Sequence, residues 1–144
     1  MSIENLQQSL HGSLVALITP MLPDGALDYP ALERLIEHHI AAGTDGLVIA
    51  GTTGESATLA TPEHVEVIRR AVDLVKGRVP VIAGTGSNST AQTIALSQAV
   101  DDCAVAAYLV VTPYYNKPTQ EGLYLHYTAI ADAVKKPIIL YNVP

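Results

Sequence analysis

Short, almost uninterrupted aliphatic runs alternate along this chain with longer stretches in which apolar residues recur every three to four positions. The runs are Leu14 to Thr19, Gly46 to Ala50, Val79 to Ala83, Tyr108 to Thr112 and Pro137 to Tyr141. Each reads as a strand, and the lack of apolar–polar alternation predicts parallel strands covered on both faces. The stretches between them read as helices with recognisable ends. Asp28 can cap a helix whose stripe is Leu32, Leu35, Ile36 and Ile40, with Gly43 as its stop. Thr61, Pro62 and Glu63 place a cap, a first-turn proline and an acid at the start of a second helix, which runs through Val65, Ile68, Val72 and Val75 to Lys76 and Gly77. A third starts near Ser89 or Thr90, and a fourth runs from near Thr119 to Lys135 and Lys136.

The order β-α-β-α-β-α-β-α-β is that of an α/β protein and leaves two architectures, an open doubly wound sheet or a (β/α)8 TIM barrel. Strand starts recur about every 31 residues, close to a ~250-residue barrel divided by eight. The spacing favours the barrel. Five strands and four helices do not close one, so the expectation is that residues 1–144 form the N-terminal half of a single barrel domain.

Composition narrows the function. The chain has 144 residues, 49% hydrophobic and 15% charged, with mean hydropathy +0.26, which is too apolar for disorder. Eight Lys and Arg against fourteen Asp and Glu give −6, which argues against nucleic acid or an anionic membrane surface as partner. The longest apolar run, Ala104 to Val111, is far short of the ~20 residues of a membrane helix. The opening MSIENLQQSLHG has no apolar core of a secretory signal, so the cytoplasm is expected. Cys103 has no disulfide partner and no zinc-type spacing, and is read as a small buried apolar side chain. His38 and His39, adjacent on a helix, point different ways and make a poor metal site. His64 and His126 read as surface or packing residues.

Polar residues gather after the strands: Thr19-Pro20, Gly51-Thr52-Thr53-Gly54-Glu55-Ser56, Gly84-Thr85-Gly86-Ser87, Thr112-Pro113-Tyr114-Tyr115-Asn116 and Tyr141-Asn142. In a (β/α)8 barrel these are the loops that build active sites. Gly51 and Gly54 around two threonines make a plausible cradle for a carboxylate or phosphate, although such a segment serves more often as a plain turn. Tyr114 and Tyr115 fit packing or an interface as well as catalysis, and Tyr141 could fill a barrel layer. No lysine follows the first cluster as in a nucleotide P-loop, and Gly84-Thr85-Gly86 lacks the third glycine of a dinucleotide fingerprint. Nucleotide binding is not expected.

GTTGES at 51–56, VTPYYNKP at 111–118 and LYNVP at 140–144, in that order, resemble the dihydrodipicolinate synthase family of the pyruvate-dependent Schiff-base aldolases. The resemblance runs from about His11 to Pro144. It implies condensation of pyruvate with L-aspartate 4-semialdehyde to 4-hydroxy-tetrahydrodipicolinate in lysine biosynthesis, with no metal or organic cofactor and a homotetramer as the complete protein. Carried over, Thr53 holds the pyruvate carboxylate with the amides of Thr52 and Thr53. Tyr141 is the proton-shuttling acid/base, and Thr52 links it to Tyr115, which reaches into a neighbouring subunit's site. An isolated tyrosine at pKa ~10 is a weak acid, so a hydroxyl chain suits proton transfer near neutrality.

The imine needs an amine of lowered pKa. Lys76, Lys135 and Lys136 end helices at the opposite face, and Lys117 matches a basic family position that is not the nucleophile. The family's imine lysine lies on its sixth strand and its second-substrate arginine just after the fifth, both beyond Pro144. The 144-residue chain alone is therefore expected to be inactive. Ser56, Ala57, His64, Asn88 and Tyr114 match the family's lysine-feedback site. Thr61 stands where feedback-sensitive members often have His, and Gln92 where they have Glu, so any feedback is expected to be weak. Ala104 and Ala107 replace glycines common before the fourth strand. The alternatives are a non-catalytic half-barrel that binds small carboxylates or other chains, and a related aldolase such as N-acetylneuraminate lyase.

Overall fold

The computed structural model describes residues 10–143; the expectation of no secretory leader falls mostly on residues outside that range. The strands are β1 (Leu14–Ala16), β2 (Gly46–Ile49), β3 (Val81–Gly84), β4 (Ala107–Val111) and β5 (Ile138–Tyr141). The helices are α1 (Tyr29–Ala41), α2 (Thr61–Val75), α3 (Thr90–Ala99) and α4 (Gln120–Ala133), with a single 3-10 turn at Ser56–Thr58. All four strand pairings are parallel, and the spatial order is β1-β2-β3-β4-β5. A doubly wound sheet reverses direction at a switch point, and this sheet does not. The sequential order is that of a (β/α)8 barrel.

Strand alternation sorts side chains into two rows. Leu47, Ile49, Val81, Ala83, Tyr108 and Val110 join the core under the helices, together with Ile36, Ile68 and Ile130. Val48, Ile82 and Ala107 are also buried but lie outside that cluster, on the opposite side of the sheet. The register pairs Leu109 with Ile139, Val110 with Leu140 and Val111 with Tyr141. Leu140 therefore shares the helix-side row with Val110, and Tyr141 shares the other row with Val111.

Several boundaries differ from the sequence reading. Regular β1 stops at Ala16, although the Leu17 amide still reaches the Val48 carbonyl at 3.0 Å; β3 begins at Val81 rather than Val79. Asp28 caps α1 as expected, accepting from the Ala31 amide at 2.9 Å. Thr61 is not the cap of α2. It is the first helical residue, Ala60 is the N-cap, and Glu63 instead accepts from the Ala60 amide at 3.1 Å. Ser89 and Thr119 cap α3 and α4 through their hydroxyls. Helix α4 ends at Ala133, short of the lysine pair, which lies on the approach to β5.

Charged residues fasten the face where the strands begin. Arg78 pairs with Glu37 of α1 and donates to the Leu74 and Val75 carbonyls at the end of α2. Arg69 makes a bidentate pair with Asp102, and Lys136 donates to the Asp101 and Cys103 carbonyls. Cys103 is half-buried, not fully buried, and burial raises its thiol pKa. His38 and His39 stack edge to face, 5.3 Å between centroids.

Candidate functional site

The opposite face carries the candidate chemistry. After β2 the chain turns so tightly that Ala50 and Glu55 adopt positive φ, 54° and 57°, around Gly51–Gly54. The Gly51 carbonyl accepts from the Gly54 amide at 3.0 Å and the Thr52 carbonyl from the Glu55 amide at 3.0 Å. The buried Thr19 hydroxyl pins the segment from β1's side by donating to the Gly54 carbonyl at 2.7 Å. None of these turn bonds uses the amide of Thr52 or Thr53. That is the arrangement a carboxylate-binding turn requires.

Thr52 and Tyr141 line one concavity at the ends of β2 and β5, together with Gly51, Ser56, Gly84 and Gly86. Leu109 and Val111 supply its apolar side. This is what the alternation along β4 and β5 delivers: residues of the row opposite the helices converge there. Thr53 is exposed at the apex of the turn and does not line the concavity. Tyr115 does not line it either. Its side chain is 93% exposed, at φ 69° in a loop where Lys117 also has positive φ, 42°. Within one chain the structure thus brings together two members of the expected hydroxyl relay, Thr52 and Tyr141, and leaves Tyr115 facing outward.

A second depression, about 210 Å³, lies beside the first. Ser56, Ala57, His64 and Tyr114 line it with Thr61 and Gln92, so four of the five residues matched to a feedback site meet there. Asn88 is not among its lining residues; its carbonyl accepts from the Asn116 side chain at 3.2 Å. The Gln92 carbonyl oxygen is taken by the Ser87 hydroxyl at 2.9 Å. Ser56 and Gly86 line both depressions and form the wall between them.

Both histidines read as surface or packing residues are buried. Burial holds the His64 pKa down, partly offset by its hydrogen bond, so the neutral ring donates Nε2–H to the Gly84 carbonyl at 2.7 Å. His126 meets the Thr90 hydroxyl through Nδ1 at 2.8 Å, and its buried Nε2 has no hydrogen-bond partner among the described residues; burial lowers its pKa too. Of the lysines, Lys117 is in the loop after β4, while Lys76, Lys135 and Lys136 lie at the opposite face.

The sequence reading did not single out the buried hydroxyls of Thr93 and Ser97, and it named Thr85 only as part of the polar cluster after β3. Their signal was the spacing of Thr93 and Ser97, four apart on α3, which places them on one helix face.

A parallel, sequentially ordered α/β sheet with polar turns converging at its C-terminal ends defines a portion of a (β/α)8 barrel of the enzyme type. Residues 9–144 match the model of the Dihydrodipicolinate synthetase family, and the chain belongs to that family. It is 61% identical over 135 residues to the 4-hydroxy-tetrahydrodipicolinate synthase of Methylococcus capsulatus, covering 94% of this chain and 46% of that protein. With the synthase of Nitrosococcus oceani the identity is 60% over 93% of this chain and 46% of the relative. Among solved structures, the chloride-inhibited dihydrodipicolinate synthase of Acinetobacter baumannii in complex with pyruvate superposes with TM-score 0.90 at 56% identity, covering 92% of this chain and 46% of that one. The Thermotoga maritima dihydrodipicolinate synthase gives 0.90 at 42% identity, covering 94% and 46%. The chain spans about half the length of the curated relatives it matches.

Proposed function

We propose that residues 1–144 are the N-terminal half of a single (β/α)8 barrel domain and that the protein carrying them is a lyase of lysine (diaminopimelate) biosynthesis. It condenses pyruvate with L-aspartate 4-semialdehyde to 4-hydroxy-tetrahydrodipicolinate. The observation that carries the reading is the shared concavity of Thr52 and Tyr141 at a turn whose own backbone bonds, among the described residues, leave the Thr52 and Thr53 amides unused. High identity to synthases and the pyruvate bound to the Acinetobacter relative support it. The amides and hydroxyl of Thr53 hold the pyruvate carboxylate. A lysine amine attacks the pyruvate ketone, water leaves, and an imine forms; Tyr141, backed by Thr52, gives the departing oxygen its proton and takes protons back in later steps. Tyr115, exposed on its loop, completes the relay in a second subunit of a homotetramer.

Assay of the protein carrying this chain with pyruvate and L-aspartate 4-semialdehyde tests the reading. Turnover of that pair supports it, whereas turnover of N-acetylneuraminate in its place replaces it with the lyase alternative. The 144-residue polypeptide, given pyruvate and borohydride, is expected to gain no adduct mass. A stoichiometric adduct on Lys117 would move the imine onto this chain.

We further infer that the neighbouring groove is an effector site with weak affinity for lysine. It is lined by hydroxyls, His64 and Gln92 with no carboxylate among them, so an ammonium entering it meets no opposite charge. Titration with L-lysine should give at most millimolar binding, and micromolar inhibition would refute this.

A further inference from the structure

Gly86 forms, with Ser56, the wall between the two depressions, and the space there admits no side chain. A Cβ there would run into the Val111 amide nitrogen and the Val110 backbone. Its amide and that of Thr85 share the Leu109 carbonyl, at 3.3 and 3.2 Å. One acceptor divided between two donors is a weak restraint on a peptide that lines two cavities. The stronger hold comes from α3, on either side of the glycine.

Ahead of Gly86, the Thr85 and Ser97 hydroxyls are 2.8 Å apart, and Ser97 Oγ is also 2.8 Å from the Thr93 carbonyl. Ser97 has one proton, so both contacts are satisfied when it donates to the carbonyl and accepts from Thr85. Behind Gly86, Thr93 Oγ1 accepts from the Ser87 amide at 2.9 Å and lies 3.4 Å from the Ser87 carbonyl, to which it donates. A single hydroxyl thus grips both polar groups of one peptide residue. Thr85, Thr93 and Ser97 are all 0% exposed.

Stability alone does not explain this choice. At the Thr85–Ser97 pair valine and alanine would fill the same space, and replacing both members of a buried polar pair with apolar groups of like shape is close to neutral, whereas Thr93 bonds backbone groups that no substitution removes. What hydroxyls add is direction: Thr93 fixes the peptide groups of Ser87, and Ser97 fixes the Thr85 side chain ahead of the glycine. We propose that Thr93 and Ser97 are positioning residues, which hold the Gly86 peptide at the height that shapes the pyruvate concavity on one side and the groove on the other. The proposal rests on the reading of that concavity as the pyruvate site.

Thr93→Val, with Thr93→Ser as its rescue, tests it in the protein carrying this chain. Valine leaves the half-buried Ser87 amide and carbonyl without that partner, and local opening should make amide hydrogen exchange at Gly86 and Ser87 about tenfold faster. Leu47 and Ile49 in β2 should exchange as before. The pyruvate KM should rise about threefold to tenfold while kcat changes less than about twofold, and serine should restore both readouts. Unchanged exchange at Gly86 and Ser87, a parallel rise at Leu47 and Ile49, an unchanged KM, or no rescue by serine would overturn the proposal. Should the valine variant fail to fold, Ser97→Ala, with Ser97→Thr as its rescue, is read on the same exchange and KM criteria. If the wild type does not use pyruvate at all, the reading of the concavity falls, while the exchange comparison still decides whether these hydroxyls hold the wall.

Discussion

Tyr141 is the residue on which sequence and structure converge most directly. It ends an aliphatic run, so its backbone belongs to a strand, and strand alternation sends its ring to the side away from the helices, where it lines one concavity with Thr52. Tyr141→Phe removes one hydroxyl and little volume. In the complete protein it should lower kcat by roughly 10²–10⁴-fold with the fold intact, and unchanged turnover would remove it from the mechanism. Thr53→Val should chiefly raise the pyruvate KM, and steady-state kinetics separates the two effects. Tyr115 was legible as part of a motif and, through the family resemblance, as a residue directed at a neighbouring subunit, whereas the positive φ of its loop leaves no mark in hydrophobic spacing. The two buried histidines carry a pH dependence. Their folded pKa values lie below the ordinary 6.5, so above pH 6.5 they are neutral in both states and their contribution to stability is fully present. As pH falls below 6.5 the unfolded chain takes up protons that the folded one refuses, and stability declines. Urea denaturation at pH 7.5 and pH 5.5 should show a smaller unfolding free energy at the lower pH, with a shallower dependence in His126→Gln. Equal values at both pH values would mean that the rings are not held neutral. Asp102 and Glu37, with pKa values lowered chiefly by arginine hydrogen bonds, act only in a more acidic range.

At the scale of elements, the caps show what the sequence carries well and what it does not. Asp28, Ser89 and Thr119 each sit just ahead of a helical stretch and accept from an amide two or three residues into the helix. Thr61 has the same appearance, yet Pro62 admits helical start one residue earlier, and Glu63 reaches back to the Ala60 amide in its place. The competing feature was the acid at the third position, which satisfies an end amide without any side-chain oxygen at the cap. Thr119→Ala should therefore cost about 0.5–2 kcal/mol of unfolding free energy. Thr61→Ala should cost a few tenths at most, since alanine is the better helix former. Thermal or urea unfolding of the two variants checks the order, and an equal loss would restore Thr61 to the cap. Helix α3 was the least legible element. Its sequence TAQTIALSQA has almost no apolar stripe because the buried face is partly hydroxylic, with Thr93 and Ser97 beside Leu96. Apolar periodicity finds helices that dock by burying hydrocarbon and passes over one that docks by bonding a loop.

For the whole molecule, the two ends of the sheet use different chemistry. Arginine and lysine clamps fasten the end where the strands begin, and neutral hydroxyls order the end where they finish. That division matches a barrel whose stability face and reactive face are opposite. It was half visible in the sequence, since the spacing of the strands predicted the barrel and the polar turns predicted the reactive end, while the ion pairs of Arg78 with Glu37 and Arg69 with Asp102 join residues 41 and 33 positions apart. The five strands also leave two outer members, β1 and β5, each paired on one side only among the described residues. Leu140 lies in the helix-side row of β5 and is 59% exposed, with Ile18 at 53% after β1. An outer strand with free backbone groups and an uncovered aliphatic face recruits another chain. The 144-residue polypeptide should therefore self-associate at micromolar concentration. Leu140→Lys should weaken the association, because a charge on that face resists burial and the backbone pairing within β5 is untouched. Sedimentation velocity across a concentration series measures both. A soluble monomer throughout the series would show that the outer strands are protected, and an equally strong association in Leu140→Lys would shift the contact from this face to another.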